Sequence, residues 1–202
     1  MSKLLIAAGI LLGLLLVVGL AFGGMFVSLR NQMVTQREGI DAAWAQVDTV
    51  IQRRADLVPN LVETVKGVAA QEKTVFTNIA NARAAMAGAR SPSERIEAND
   101  QLSGALSRLL LVVENYPDLR SSQNFIRLQD ELAGTENRIA VERRKYNQAV
   151  QQYNTYIQLF PNSIVASFSG YQREDAYFRT TEEARQAPPV VNFNQSEPQP
   201  QQ

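Results

Sequence analysis

The sequence predicts an all-α protein in which an N-terminal transmembrane helix leads into a long antiparallel bundle of about four helices. Three observations lead there. Directly after Lys3 come 26 uncharged residues, Leu4 to Leu29, and apolar residues then recur at spacings of three and four as far as Phe160. Prolines interrupt that pattern only at Pro59, Pro92, Pro117 and Pro161.

The first element is the uncharged run, in which Ser28 alone is polar. As a helix it would extend about 39 Å, more than the ~30 Å hydrocarbon core of a bilayer. A cleaved signal peptide has a shorter apolar stretch, so an uncleaved signal anchor over residues 1–29 is the expected form. Lys3 on one side and Arg30 and Arg37 on the other leave the positive-inside rule nearly neutral. The position of the anchor near the chain start favours a short cytoplasmic tip and an extracytoplasmic, periplasmic C-terminal domain in the inner (cytoplasmic) membrane. Gly9/Gly13 and Gly19/Gly23 have the spacing that lets membrane helices approach closely, although glycine is common in such helices.

Four helices are expected next, near 30–57, 59–88, 93–115 and 119–160, because proline is tolerated at a helix start and disfavoured inside. Asn60 with Glu63 has capping-box spacing, Ser93 has it in part, and Gly88 with Ser91-Pro92 makes the clearest loop. Each helix carries an apolar stripe. On the first lie Ile40, Trp44, Val47, Ile51, Arg54 and Val58, and on the second Leu61, Val65, Val68, Glu72, Val75, Ile79, Ala82 and Met86. The third has the looser set Ile96, Leu102, Leu106, Leu109, Val113 and Tyr116. The fourth has a coiled-coil-like seam of Phe125, Leu128, Leu132, Thr135, Ile139, Glu142, Tyr146, Ala149, Tyr153, Tyr156 and Phe160. Short connections between amphipathic helices predict antiparallel neighbours, giving a bundle domain over residues 30–180. At 42 residues the fourth helix would reach about 63 Å against ~42 Å for the first, a surplus available for self-association.

After Phe160 the period is lost. Gly170 interrupts the chain, and Tyr171 to Phe178 reads as an extended or irregular segment laid on the bundle. Residues 181–202 are a Gln/Pro-rich tail, expected to be disordered.

Composition removes whole classes of chemistry. With no His and no Cys among 202 residues there is no thiol nucleophile, no imidazole base and no Cys/His metal site. Di-iron bundles use Glu-x-x-His pairs, so that ligand set is missing, and no spaced acidic loop for Ca or Mg is visible. None of the lysines Lys3, Lys66, Lys73 and Lys145 lies in a Ser-x-x-Lys arrangement, and no phosphate-binding glycine motif occurs. Beyond the anchor, 19 basic residues face 20 acidic ones, which argues against nucleic acid as a partner. The expectation is a non-enzyme without catalytic, cofactor-binding or metal-ligating residues.

Three charges fall on seam positions: Arg54, Glu72 and Glu142. A charge buried alone is costly, so each should sit at the bundle edge, or Arg54 should pair with a carboxylate that fixes register. Eight of the fifteen aromatic residues lie between Tyr146 and Phe178. An up-and-down bundle returns that cluster toward the bilayer, where part of it would meet the interface, although Tyr146 and Tyr153 on the seam argue for core packing.

Two blocks of residues carry a resemblance. The first is Ala43-Trp44, Val47-Asp48, Arg54, Asp56 to Val62 around Pro59, Val65-Lys66 and Glu72. The second runs from Tyr116-Pro117-Asp118-Leu119 through Phe125, Leu128-Gln129, Glu131-Leu132, Glu136, Ile139, Arg143, Tyr146-Asn147, Val150, Tyr153-Asn154, Ile157 and Phe160-Pro161 to Tyr177-Phe178. Together they resemble the LemA family over about residues 26–180. That resemblance implies a bacterial membrane protein with one N-terminal helix and a helical bundle, and it brings no substrate with it. Asn147 and Asn154, seven apart on one stripe, are expected to bond across helices, with a partner groove as the alternative.

The function these readings predict is a membrane-anchored envelope scaffold acting through protein contacts, with the bilayer bound through residues 4–29 and homo-oligomerisation as a possible mode. A membrane-remodelling or coat-like helical protein is the alternative, and it lacks the strongly basic polar face that mode calls for. An acidic-residue hydrolase auxiliary is the weakest reading, for want of motifs.

Overall fold

A computed structural model describes residues 2–178, with side-chain environments from Ile6 onward. The expected tail at 181–202 lies outside the described residues. Six helices follow one another: α1 (Ser2–Lys66), α2 (Lys73–Gly88), α3 (Pro92–Val113), α4 (Pro117–Arg120), α5 (Gln123–Gln158) and α6 (Asn162–Ser169). Among the described residues there is no β-strand, and the fold is all-α with a long apolar N-terminal helix.

The first correction concerns Pro59, which does not start a helix. It lies inside α1, which runs unbroken from the uncharged segment into the bundle. Proline has no N–H to offer the Ala55 carbonyl, a loss of about 3 kcal/mol in a helix interior. The buried stripe explains why the helix continues. Val47, Ile51, Arg54, Val58, Leu61 and Val65 keep one seam straight through the proline, and full burial of each aliphatic side chain contributes roughly 1.5–3 kcal/mol. Asn60 and Glu63 are therefore mid-helix residues rather than a cap. The helix ends instead after Lys66, where Gly67 donates to the Glu63 carbonyl at 3.3 Å and Ala69 to Val65 at 2.9 Å. The expected second helix thus shrinks to α2, with Val68 exposed and Glu72 in the turn before it.

The loop after Gly88 falls as expected, but its cap is Ser91. The Ser91 hydroxyl accepts from Glu94 N at 3.2 Å, Pro92 occupies the first turn, and the Glu94 carboxylate accepts from Arg90 N at 2.7 Å. Pro117 begins the short α4, and α5 starts at Gln123 rather than 119.

α1 and α5 form the long axis of the domain, antiparallel and in one register. Ten residues up α1, from Trp44 to Arg54, match ten residues down α5, from Tyr146 to Glu136. Seven in the other direction carry Trp44 to Arg37 and Tyr146 to Tyr153, which again face each other. The soluble part of α1 is about as long as α5, so the surplus length expected of the last helix is absent. The α2–α3 hairpin packs on the upper part of this pair, where Ile79, Met86, Leu102, Leu106 and Leu109 close a four-helix core with Ile51, Leu61, Phe125 and Ile139.

Below Trp44 the hairpin is absent and other elements replace it. α6 packs on both α1 and α5, burying Val165 and Ala166. Its end is a Schellman motif, with Tyr171 N donating to Ala166 at 3.0 Å and Gly170 N to Ser167 at 3.4 Å. That motif needs a left-handed residue, supplied by Gly170 at φ 75°. From there residues 171–178 run as an irregular strap up the α1/α5 pair, as expected of that segment.

Candidate functional site

Two polar constellations tie the elements together, and both are built from residues far apart in sequence. The upper one centres on Arg54, which the α1 seam carries into the core at 7% exposure. Its Nη1 reaches Glu136 Oε2 on α5 at 2.6 Å and Ser103 Oγ on α3 at 2.8 Å. Burial pulls the guanidinium pKa down from its ordinary value, while the Glu136 carboxylate opposes the shift. Arginine nonetheless stays charged, so the pair is ionic. Arg54 thus pairs with a carboxylate, as expected of one charge on the seam. Beside it, Arg143 on α5 bonds Asp100 on α3 at 2.9 Å, and Arg95 bonds Asp48 at 2.7 Å, Gln52 at 2.7 Å and the Met86 carbonyl at 2.6 Å. Each bond joins α3 to α1, α2 or α5, so the hairpin is docked by charge as well as by its apolar stripe. The seam charge of α5, Glu142, is half-buried and pairs locally with Lys145 at 2.8 Å.

A cleft of about 380 Å³ opens beside Arg54, walled by Leu61, Leu106, Leu110 and Leu132 with Ser103 and Glu136 at its polar end. Its chemistry is limited. Ser103 accepts from Arg54 and donates to the Asn99 carbonyl at 3.0 Å, so no base takes its proton. Glu136 is engaged by Arg54 in an ion pair. Among the described residues no group of three or more carboxylates converges as a metal site would require.

The lower constellation is an asparagine ladder on α5. Asn147 donates to the Phe178 carbonyl at 2.8 Å and accepts from Phe178 N at 3.0 Å. Two turns on, Asn154 does the same with Glu174, at 2.8 and 2.9 Å, and also donates to the Tyr177 hydroxyl at 2.9 Å. Tyr153 adds a bond from its hydroxyl to the Gln172 carbonyl at 2.9 Å. These side chains thus pair with the backbone of the strap, much as a neighbouring β-strand would. The expectation of bonds between helices is corrected: the groove exists, and the chain's own strap fills it. At the top of the strap Phe178 stacks on Trp44 at 6.1 Å and meets Tyr146 edge-on at 5.7 Å, with the Arg143 guanidinium 4.6 Å from its ring centre. At the bottom Arg37 pairs with Glu174 at 3.2 Å. Burial lifts the Tyr146 pKa to about 12 and raises that of Tyr153 as well.

The aromatic cluster is therefore divided. Tyr146, Tyr153 and Phe178 are core, whereas Phe160 and Phe168 are each 82% exposed. Phe160 leaves the seam because α5 ends two residues earlier, and the buried positions beyond Tyr146 shift to Val150, Tyr153, Asn154 and Ile157.

The residues at the centre of both constellations, Arg54, Glu136, Asn147, Asn154 and Phe178, belong to the two blocks that resemble LemA, and comparison with known proteins agrees. The LemA family profile matches residues 43–193, three quarters of the chain. The chain belongs to the LemA family. The match begins later than the resemblance suggests and extends further, into the Gln/Pro-rich segment. Among relatives, the chain is 28% identical over 185 residues to "Magnetosome protein MamQ 2" of Paramagnetospirillum magneticum, covering 79% of this chain and 68% of that protein. It is also 28% identical to "Magnetosome protein MamQ" of Magnetospirillum gryphiswaldense, over 73% of this chain and 64% of that one. With "Protein LemA" of Metamycoplasma hominis it shares 24% identity, over 70% of this chain and 65% of the relative. In this LemA protein the family-like residues Arg54 and Glu136 join α1 to α5, and Asn147, Asn154, Tyr177 and Phe178 close the strap. Sequence reasoning did not find Ser103, Asp100 or the Arg95–Asp48 bond as partners. The Ser91/Glu94 capping pair and the Lys66-Gly67 helix stop were the readable signals it passed over.

Proposed function

We propose that this LemA protein is a single-pass, non-enzymatic scaffold of the bacterial envelope, anchored in the inner membrane by residues 4–29 with its bundle on the extracytoplasmic side. The observation that carries the reading is the continuity of α1. One helix serves as both the apolar anchor and the first helix of the bundle axis, so the anchor and the bundle form one rigid rod rather than a tethered pair. A rod held at a fixed attitude to a membrane suits a structural part, and the cleft beside Arg54 offers no nucleophile and base to suit an enzyme. The coat-like alternative calls for amphipathic helices free to lie on lipid, whereas α2, α3 and α5 spend their apolar faces on one another. Self-association through the anchor rests on the spacing of Gly9/Gly13 and Gly19/Gly23, which lets membrane helices approach closely. The naming of two relatives for the magnetosome accords with membership of a larger assembly.

The absence of cysteine makes the test direct. Single-cysteine variants Ser2→Cys and Ala133→Cys are treated with a membrane-impermeant maleimide in intact spheroplasts. The expected result is labelling at position 133 and protection at position 2 until the membrane is opened. The opposite pattern overturns the orientation, and crosslinking in native membranes that returns only monomer overturns self-assembly.

A further inference from the structure

α6 is apolar on two sides. Val165 and Ala166 face the bundle, while Ile164 and Phe168, one turn apart, point away from it and continue a stripe begun by Phe160. Leu159 and Ile164 are 56% and 50% exposed, and the two phenylalanines 82%. A helix on a water-facing surface presents polar residues outward, so an outer face of this kind implies a further apolar surrounding. The α1/α5 register says which one. Continuing it down from Arg37 and Tyr153 brings Gln158, the last residue of α5, level with Gln32, two residues from Arg30, the first charge after the uncharged run. Leu29, the last residue of that run, already packs against the core cluster that contains Val165 and Ala166.

We propose that the α5–α6 corner is a second membrane contact, in which Phe160, Ile164 and Phe168 enter the boundary between lipid headgroups and acyl chains beside the point where α1 emerges. This rests on the reading of residues 4–29 as a membrane span. The occupant is lipid rather than a protein because α6 packs on α1 and the register sets this corner at the level where the uncharged run of α1 ends. With α1 it gives the domain two points of attachment, which fixes its rotation about the anchor as well as its height. The strap that starts at Gly170 then begins at the membrane surface and ends at Trp44.

The test uses the full chain in phosphatidylcholine nanodiscs containing some phosphatidylglycerol, with an environment-sensitive fluorophore on Phe168→Cys, Gly13→Cys or Ala133→Cys. Nitroxide is placed either on the headgroup or at the shallow end of the acyl chain. The expected result is blue-shifted emission at position 168, quenched several-fold more by the shallow acyl nitroxide than position 133 and more than by the headgroup nitroxide. If position 13 is quenched and position 168 behaves as position 133 does, the corner stands in water and the proposal fails while the span survives. If neither is quenched, the span itself is wrong. A blue shift at 168 without lipid quenching means that a protein covers the patch, which also overturns the proposal. Since Phe168 is so exposed, its replacement leaves the bundle intact.

Discussion

At the scale of single residues, Arg54 shows how a charge can occupy a core position without being a ligand site. Its partner Glu136 is half-exposed, so the pair is only partly removed from water. Removing the carboxylate strands the buried guanidinium, whereas removing the guanidinium strands nothing, because Glu136 can be hydrated. Glu136→Ala is therefore expected to destabilise the bundle by about 1–3 kcal/mol and Arg54→Met by less, in urea unfolding followed by circular dichroism. Equal or reversed effects would contradict this. Tyr146 gives a pH dependence with a definite sign. In the unfolded chain the phenol ionises near 10, and in the fold near 12, so between those values the native state holds more protons and stability falls as pH rises. The alkaline loss of stability is expected to be smaller in Tyr146→Phe. What the sequence shows at this scale is that Arg54 needs a counter-charge. Which of the acidic residues supplies it depends on helix register, 82 positions away in the chain.

At the scale of elements, the seams were legible because heptad spacing is a local property, and they hold from Val47 to Val65 and from Phe125 to Tyr146. Beyond Tyr146 the observed burial drifts to Val150, Asn154 and Ile157. A straight helix turns away from a strict seven-residue repeat by about 20° per heptad, and here it faces a strap rather than a supercoiled partner. Pro59 was misread because proline is a prior about boundaries, and the burial of Val58, Leu61 and Val65 outweighs it. Pro59→Ala would restore the hydrogen bond to the Ala55 carbonyl and is expected to stabilise the domain by about 1–3 kcal/mol in the same unfolding measurement. The strap was visible as an irregular segment, but its attachment was not, since Asn147 and Asn154 recognise backbone, which carries no sequence signature. Asn154→Ala removes bonds to Glu174 and Tyr177 and is expected to weaken strap docking by ~1–3 kcal/mol. Trp44 is the sole tryptophan and lies against Phe178, so its emission should shift red and become more accessible to acrylamide while helicity is unchanged. Unaltered Trp44 emission would mean the strap is held by its aromatic end alone.

At the scale of the whole molecule, the fold divides along its axis. A long apolar helical segment comes first, then a two-helix stem closed by α6 and the strap, then a four-helix head closed by α2 and α3. The apolar N-terminal helix and the all-α class could be read directly from charge and periodicity. The division of the soluble part could not, because it depends on where the hairpin stops short of the anchor. If α1 is one uninterrupted helix, its apolar segment and the bundle form a single rod. Spin labels on Val17→Cys and Arg53→Cys, 36 residues apart and both at exposed positions, test it by pulsed electron–electron distance measurement in nanodiscs. Ten helical turns separate them, so one narrow distance distribution at ~54 Å is expected, broadened only by the labels. A broad distribution, or one centred well below that value, would mean a hinge between membrane and bundle and would contradict it.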